Sequence, residues 1–292
     1  MLVLVRYRLR KLLAIAEPNH GVRMLEGHVA VVTGSTGGIG EAVAHRLAAE
    51  GAKVVVTGRR AEDGERVAAA IVAAGHTAQF VRADLTVADD VEALFAAAAG
   101  SYGPVTVLVN NAAPTDLVGP ANKDGRLTDV PPDRFDEILA VGLRAAYLCC
   151  YHAIPQMQQA GHGSIVNVSS VAGVKATPRV FAYATAKGGL QALTRSVAAD
   201  YARDKIRCNT VIVGFVISNP LARKFAEDES MSRAMRATML TDFGEPEDIA
   251  NVVHFLASAE SSFMSGTDVY ADGGATVKHV IPGTKQEARS GQ

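Results

Sequence analysis

Thr33-Gly34-Ser35-Thr36-Gly37-Gly38-Ile39-Gly40 stands between a Val-rich run that ends at Thr33 and a helical pattern that opens at Gly38. Glycines at such a junction let the backbone turn sharply and approach a pyrophosphate closely. The helix that follows offers free N–H groups and the positive end of its dipole to anionic oxygens. Glycine-rich text also marks ordinary turns, and it is the position between strand and helix that points to a dinucleotide. Within the helix Ile39, Val43 and Leu47 recur every four residues, and Gly51 supplies the stop.

The same alternation extends in both directions. Apolar runs at 28–33, 53–57, 78–82, 105–109, 164–169, 207–213 and 268–271 read as strands. Helical patterns lie between them at 38–50, 61–74, 87–99, 133–158, 182–202 and 246–258. With no linker, repeat or low-complexity block within 25–275, this predicts an α/β fold: a single domain over 24–280 built on a doubly wound parallel sheet. An N-terminal extension (1–23) and a C-terminal tail (281–292) flank it. Two segments break the rhythm. Residues 114–132 carry Pro114, Gly119, Pro120, Gly125, Pro131 and Pro132 and read as a loop, and 215–243 place Met231, Met235 and Met239 at helical spacing. Each follows a strand, and open α/β sheets bind ligands beyond the strand carboxyl ends, so both are candidate walls of a site. The Met stripe reads equally well as core packing.

Composition narrows the function classes. Lys plus Arg number 29 against 30 Asp plus Glu, a balance that gives no electrostatic footprint for nucleic acid. Cys149, Cys150 and Cys208 lack metal-ligand or disulfide spacing and read as buried free thiols in a reducing compartment, the cytoplasm, with no metal site. The apolar run from Leu2 to Ile15 is interrupted by Arg6, Arg8, Arg10 and Lys11, too short and too charged to span a bilayer. Residues 1–23 are expected to be a loose extension, with membrane-surface contact as the alternative.

The second strand ends at Thr57-Gly58-Arg59-Arg60. A chain that binds NAD usually places an acid here for the ribose hydroxyls, whereas a guanidinium clamps a 2′-phosphate. Gly58 followed by Arg59 therefore favours NADP over NAD. Further on, Tyr183-Ala184-Thr185-Ala186-Lys187 sets a phenol and an ammonium one helical turn apart. Tyr7 with Lys11 and Tyr201 with Lys205 share that spacing; only Tyr183 opens a helix after a strand ending in Ser169-Ser170. A carbonyl being reduced needs a proton as hydride arrives, and free tyrosine titrates at about 10, too high to serve easily at neutral pH. A unit positive charge at about 4 Å, with an effective dielectric near 20, is worth about 4 kcal/mol at most. Lys187 is therefore expected to draw the phenol down, with Ser170 holding the same substrate oxygen.

Together these residues resemble the short-chain dehydrogenase/reductase family over about 25–275. The glycine turn appears as Thr33-Gly34 with Gly38 and Gly40, the acid near adenine as Asp84-Leu85, and the Asn-Asn-Ala-Gly segment as Asn110-Asn111-Ala112-Ala113. The catalytic set corresponds to Ser170, Tyr183 and Lys187, the stretch after the sixth strand to Val213-Gly214 and Ser218, and the closing Asp-Gly-Gly to Asp272-Gly273-Gly274. The resemblance implies a seven-stranded Rossmann-type sheet, hydride transfer between nicotinamide and a ketone or secondary alcohol, and a homotetramer or homodimer. It implies coenzyme contacts from Gly34, Ser35, Thr36, Gly38, Ile39, Gly40, Arg59, Asp84, Leu85, Asn111, Tyr183, Lys187, Val216 and Ser218. The chain departs from the pattern at Ala113, at Val213 and, above all, at Gly142, where many members carry an Asn that organises a proton-relay water. Glycine in a helix costs about 1 kcal/mol relative to alanine, so Gly142 is expected to preserve a local backbone distortion. A water or free carbonyl would then replace the amide, and Gly142→Asn would change activity modestly. The competing reading is an NADP-binding sensor or scaffold with weakened catalysis. The apolar 114–132 and 215–243 segments point to a moderately hydrophobic small-molecule substrate and nothing finer.

Overall fold

The computed structural model describes residues 23–117 and 124–279. The N-terminal extension (apart from Arg23), its membrane-contact alternative and the tail at 281–292 lie outside the described residues. Seven strands form one parallel sheet in the order β3-β2-β1-β4-β5-β6-β7. They are β1 Val29–Thr33, β2 Lys53–Gly58, β3 Ala78–Arg82, β4 Val107–Asn110, β5 Gly163–Ser170, β6 Ile206–Val213 and β7 Asp268–Ala271. The helices are α1 Gly38–Ala49, α2 Ala61–Ala73, α3 Ala88–Tyr102, α4 Pro132–Leu139, α5 Ala145–Ala160, α6 Phe181–Asp200, α7 Pro220–Glu227, α8 Glu229–Arg236 and α9 Pro246–Ala257.

The strands read as continuous Val runs because both faces of the sheet are covered. Ala30, Val32, Val54, Val56, Val107 and Val109 point to one side and pack on Val43 and Leu47 of α1, Val67 and Ile71 of α2, and Ile249 and Val253 of α9. Their neighbours Val29, Val31, Val55 and Leu108 point to the other side, against Leu94 and Phe95 of α3 and Cys149, Ala153 and Met157 of α5. Each such side chain contributes about 1.5–3 kcal/mol on burial, so the alternation itself fixes which helix lies on which face. All three cysteines are buried and free, as the composition implied. One described stretch, Pro132–Ala160, has the length and composition of a membrane-crossing helix, but half of it is buried, and Leu148, Cys149 and Met157 of α5 sit in the core.

Two expectations change. The helix expected over 133–158 is α4 and α5 joined by a π turn, Ala140–Arg144, with Gly142 buried at its centre. The distortion inferred from that glycine is thus present. The methionine stripe is neither a wall nor continuous core. Met231 and Met235 lie on short α8, Met231 is 47% exposed, and only Met239, beyond the helix, is buried. Helix α8 presents a charged face of Glu229, Arg233 and Arg236, which keeps it at the surface.

Candidate active site

Strand order reverses between β1 and β4, and the crevice this opens lies beyond the carboxyl ends of the strands. The glycine turn is braced from behind. Thr33 Oγ1 donates to the Val109 carbonyl (3.2 Å) and accepts from the amides of Asn111 (3.0 Å) and Ala112 (3.1 Å), fastening β1 to β4. Asn111 Nδ2 donates to the carbonyls of Thr33 (2.9 Å) and Gly34 (3.1 Å). Gly38 has φ +56°, and a Cβ there would lie 2.6 Å from the Ser218 carbonyl oxygen, so only glycine lets the turn meet the chain after β6. Ser35 departs from expectation. It is fully buried, its hydroxyl donates to the Val32 carbonyl (2.6 Å) and accepts from the Thr57 amide (3.0 Å), and it holds β1 to β2 from behind the cleft.

A cleft of about 690 Å³ follows the turn, lined by Gly34, Thr36, Gly38, Ile39, Gly40, Arg59, Asp84, Leu85, Asn111, Ser170, Tyr183, Lys187, Val216 and Ser218. Every residue expected at the site except Ser35 is brought together there. Volume, glycine cradle and helix N-terminus fit a dinucleotide. At the end of β2, a Cβ on Gly58 would lie 2.6 Å from Thr36 Cγ2, so an acidic side chain has no room where NAD-binding chains usually place one. Arg59 Nη2 instead reaches Asp116 Oδ2 at 3.0 Å, both side chains 60% exposed. Asp84 accepts from the amide (3.0 Å) and hydroxyl (2.7 Å) of Thr86. Those bonds, aided by the charges of Arg59 and Arg82, hold its carboxyl below the ordinary range.

Ser170 ends β5, Tyr183 sits in the first turn of α6, and Lys187 follows one turn later. Ser169 Oγ donates to the Lys187 carbonyl (2.9 Å), tying α6 to β5. Lys187 is 2% exposed; its Nζ donates to the Val168 carbonyl at 2.8 Å and lies 5.7 Å from the Tyr183 ring centre. Burial lowers its ammonium to about 8. Burial also pushes the Tyr183 phenol up, and the Ser170 hydroxyl, hydrogen-bonded to it, pulls the other way. The Lys187 ammonium, expected to draw the phenol down, is held on the Val168 carbonyl close to the Tyr183 ring. Of the two decoy pairs, Tyr7 and Lys11 lie outside the described residues, while Tyr201 and Lys205 close the other end of α6, away from the cleft.

Thr115 and Asp116 of the 114–132 segment, and Val216 and Ser218 of 215–243, line the cleft as candidate walls should, whereas sequence reasoning missed Val141 there. It also missed Asp124, whose buried carboxylate accepts from the amides of Ala182 (3.2 Å) and Tyr183 (2.8 Å). No spacing rule links an aspartate to a tyrosine amide 59 residues later, so no local signal was there to find.

The chain is similar to known proteins over most of its length. The family profile described as Enoyl-(Acyl carrier protein) reductase matches residues 34–276. The chain is 39% identical over 248 residues to cis-4-hydroxycyclohexanecarboxylate dehydrogenase of Sinomonas cyclohexanicum, covering 85% of this chain and 96% of that one. It is 36% identical over 245 residues to 7alpha-hydroxysteroid dehydrogenase of Clostridium sardiniense, covering 84% and 92%. The chain belongs to the short-chain dehydrogenase/reductase family. A crystal structure of gluconate 5-dehydrogenase of Burkholderia cenocepacia in complex with NADP and tartrate superposes with a TM-score of 0.81 at 28% identity, covering 88% of this chain and 98% of that one. As a short-chain dehydrogenase/reductase the protein is an NAD(P)-dependent oxidoreductase acting on CH–OH groups.

Proposed function

We propose that this short-chain dehydrogenase/reductase is NADP-dependent and interconverts a ketone and a secondary alcohol, with Tyr183 as proton donor and acceptor. The observation that carries this reading is the convergence of Ser170, Tyr183 and Lys187 on one cleft with the glycine turn. The bound coenzyme supplies or takes the hydride. The protein's own residues do the rest. The Tyr183 hydroxyl passes its proton to the nascent alkoxide, or removes it from the alcohol in the reverse direction. Ser170, which lines the cleft with that phenol, holds the substrate oxygen beside it. Lys187 keeps a positive charge near the phenol below about pH 8 and so favours the phenolate left after transfer.

Three observations support NADP over NAD. Gly58 has no space for an acid, Arg59 stands free enough to clamp a 2′-phosphate, and the gluconate 5-dehydrogenase relative holds NADP. The substrate is read as a moderately hydrophobic small molecule, and the cyclic secondary alcohols named for two relatives are the first to assay. Tyr147 and Tyr151, 51% and 63% exposed on α5, support self-association into a homodimer or homotetramer, which light scattering would test.

NADPH oxidation over a carbonyl panel tests the chemistry. Turnover should fall by at least about 10²-fold in Tyr183→Phe, the scale of general acid catalysis. The competing sensor or scaffold reading rests on Gly142 standing where many relatives carry Asn. Coenzyme binding without turnover in the unmodified protein would favour it.

A further inference from the structure

The segment after β4 touches the first turn of α6 at two points. Leu117, 7% exposed, packs with Ile138 and Ala182. Residues 118–123 lie outside the described residues, and the chain returns at Asp124, 4% exposed. Asp124 Oδ1 accepts from the amides of Gly125 (2.9 Å) and Ala182 (3.2 Å), and Oδ2 from the amide of Tyr183 at 2.8 Å. The first amides of a helix have no acceptor within it. Val180, the residue that precedes α6, brings no side-chain acceptor, so the cap is supplied from 58 and 59 residues earlier in the chain.

A carboxylate buried this deeply is costly unless its charge is matched. Among the described residues no cationic side chain pairs with Asp124; the positive end of α6, a helix of 20 residues, and three amides provide the match. The position of the cap matters more than the energy. Helix ends fray, and Tyr183 is only the third residue of α6. Its phenol must nevertheless be held tightly enough to exchange a proton with substrate.

We propose that Asp124 is a positioning residue that locks the first turn of α6, and with it the Tyr183 hydroxyl, to the loop following β4. Thr115 and Asp116, earlier in the segment after β4, line the cleft. The inference rests on the role of Tyr183 proposed above.

The test compares Asp124→Asn and Asp124→Ala with Tyr183→Phe in the full chain. Asparagine keeps the shape and one acceptor but loses the charge, and it decides the matter should the alanine variant not fold. We expect kcat to fall about tenfold for Asn and about 10²-fold for Ala, the scale of a 1 Å misplacement. NADPH affinity, read by fluorescence, should stay within twofold, and hydrogen exchange at residues 181–185 should rise. A kcat within twofold of the unmodified protein in the Asn variant, or NADPH affinity falling in step with kcat, overturns the proposal. Unimpaired turnover in Tyr183→Phe would instead overturn the active-site reading, independently of Asp124.

Discussion

The ammonium of Lys187 sits where its charge is disfavoured, buried to 2% exposure and lowered to about 8. A lysine whose folded value lies below its unfolded one weakens the fold while it is charged in both states. That penalty is complete below about pH 8 and is relieved as pH rises toward the ordinary lysine value of about 10.4. Lys187→Met, similar in volume and uncharged, should therefore raise the melting temperature by several degrees at pH 7, less the lost bond to the Val168 carbonyl. The gain should shrink toward pH 10 and turnover should be lost; calorimetry across pH, alongside the NADPH assay, checks both. Arg59 and Asp116 give the second prediction at this scale. Their pair is 60% exposed on each side and worth at most about 1 kcal/mol, so a phosphate can displace it. Arg59→Ala should weaken NADP binding by about 10–100-fold, as expected for a charge-assisted bond of about 1.5–3 kcal/mol, with little change for NAD. Asp116→Asn should tighten NADP binding a few-fold, and calorimetric titration with both coenzymes would expose either failure.

Between α4 and α5 the helix carries one π turn, and its centre, Gly142, has no room for a side chain. A Cβ there would lie 2.8 Å from the Cβ of Ala186, the residue just before Lys187. π turns are frequent at functional sites, and here Val141 of the same turn lines the cleft. Gly142→Asn should thus do more than change activity modestly. Overpacking of this kind typically costs about 1–3 kcal/mol, and it would press on the turn of α6 that carries Lys187. Adding Ala186→Gly should recover part of the lost stability despite about 1 kcal/mol of helix propensity. Thermal unfolding of the single and double variants measures this, and strict additivity of the two changes would refute the steric account. The turn was not visible as such in the sequence. Apolar residues over 133–158 fit one uninterrupted helix, and only the glycine hinted at a break.

For the molecule as a whole, the apolar layer between the sheet and α3 and α5 encloses all three cysteines. Burial pushes Cys150 up to about 12 and raises Cys149 and Cys208 as well. The thiolate is the reactive form, so a water-soluble disulfide reagent should label none of the three in the native protein and all three in denaturant. Rapid native labelling would mean that α5 lifts from the sheet. The seven strands emerge within a few residues of where hydrophobic runs placed them, because a parallel sheet covered on both faces imposes its pattern on every strand. The cleft was legible for a related reason. The glycine turn, the Ser170 strand end and the Tyr183 helix are each local features, and the sheet order brings their ends together.

By itself, then, the sequence determined the strand–helix alternation, the glycine turn and the Ser170, Tyr183 and Lys187 set, since periodicity, backbone sterics and helix spacing act between near neighbours. Only the tertiary structure decided that Ser35 braces the turn from behind, that the Lys187 ammonium is held on the Val168 carbonyl beside the Tyr183 ring, and that Asp124 caps the helix bearing Tyr183. Each of these depends on which atoms fill the space beside a group after distant segments have closed on one another, and no local pattern along the chain encodes that proximity.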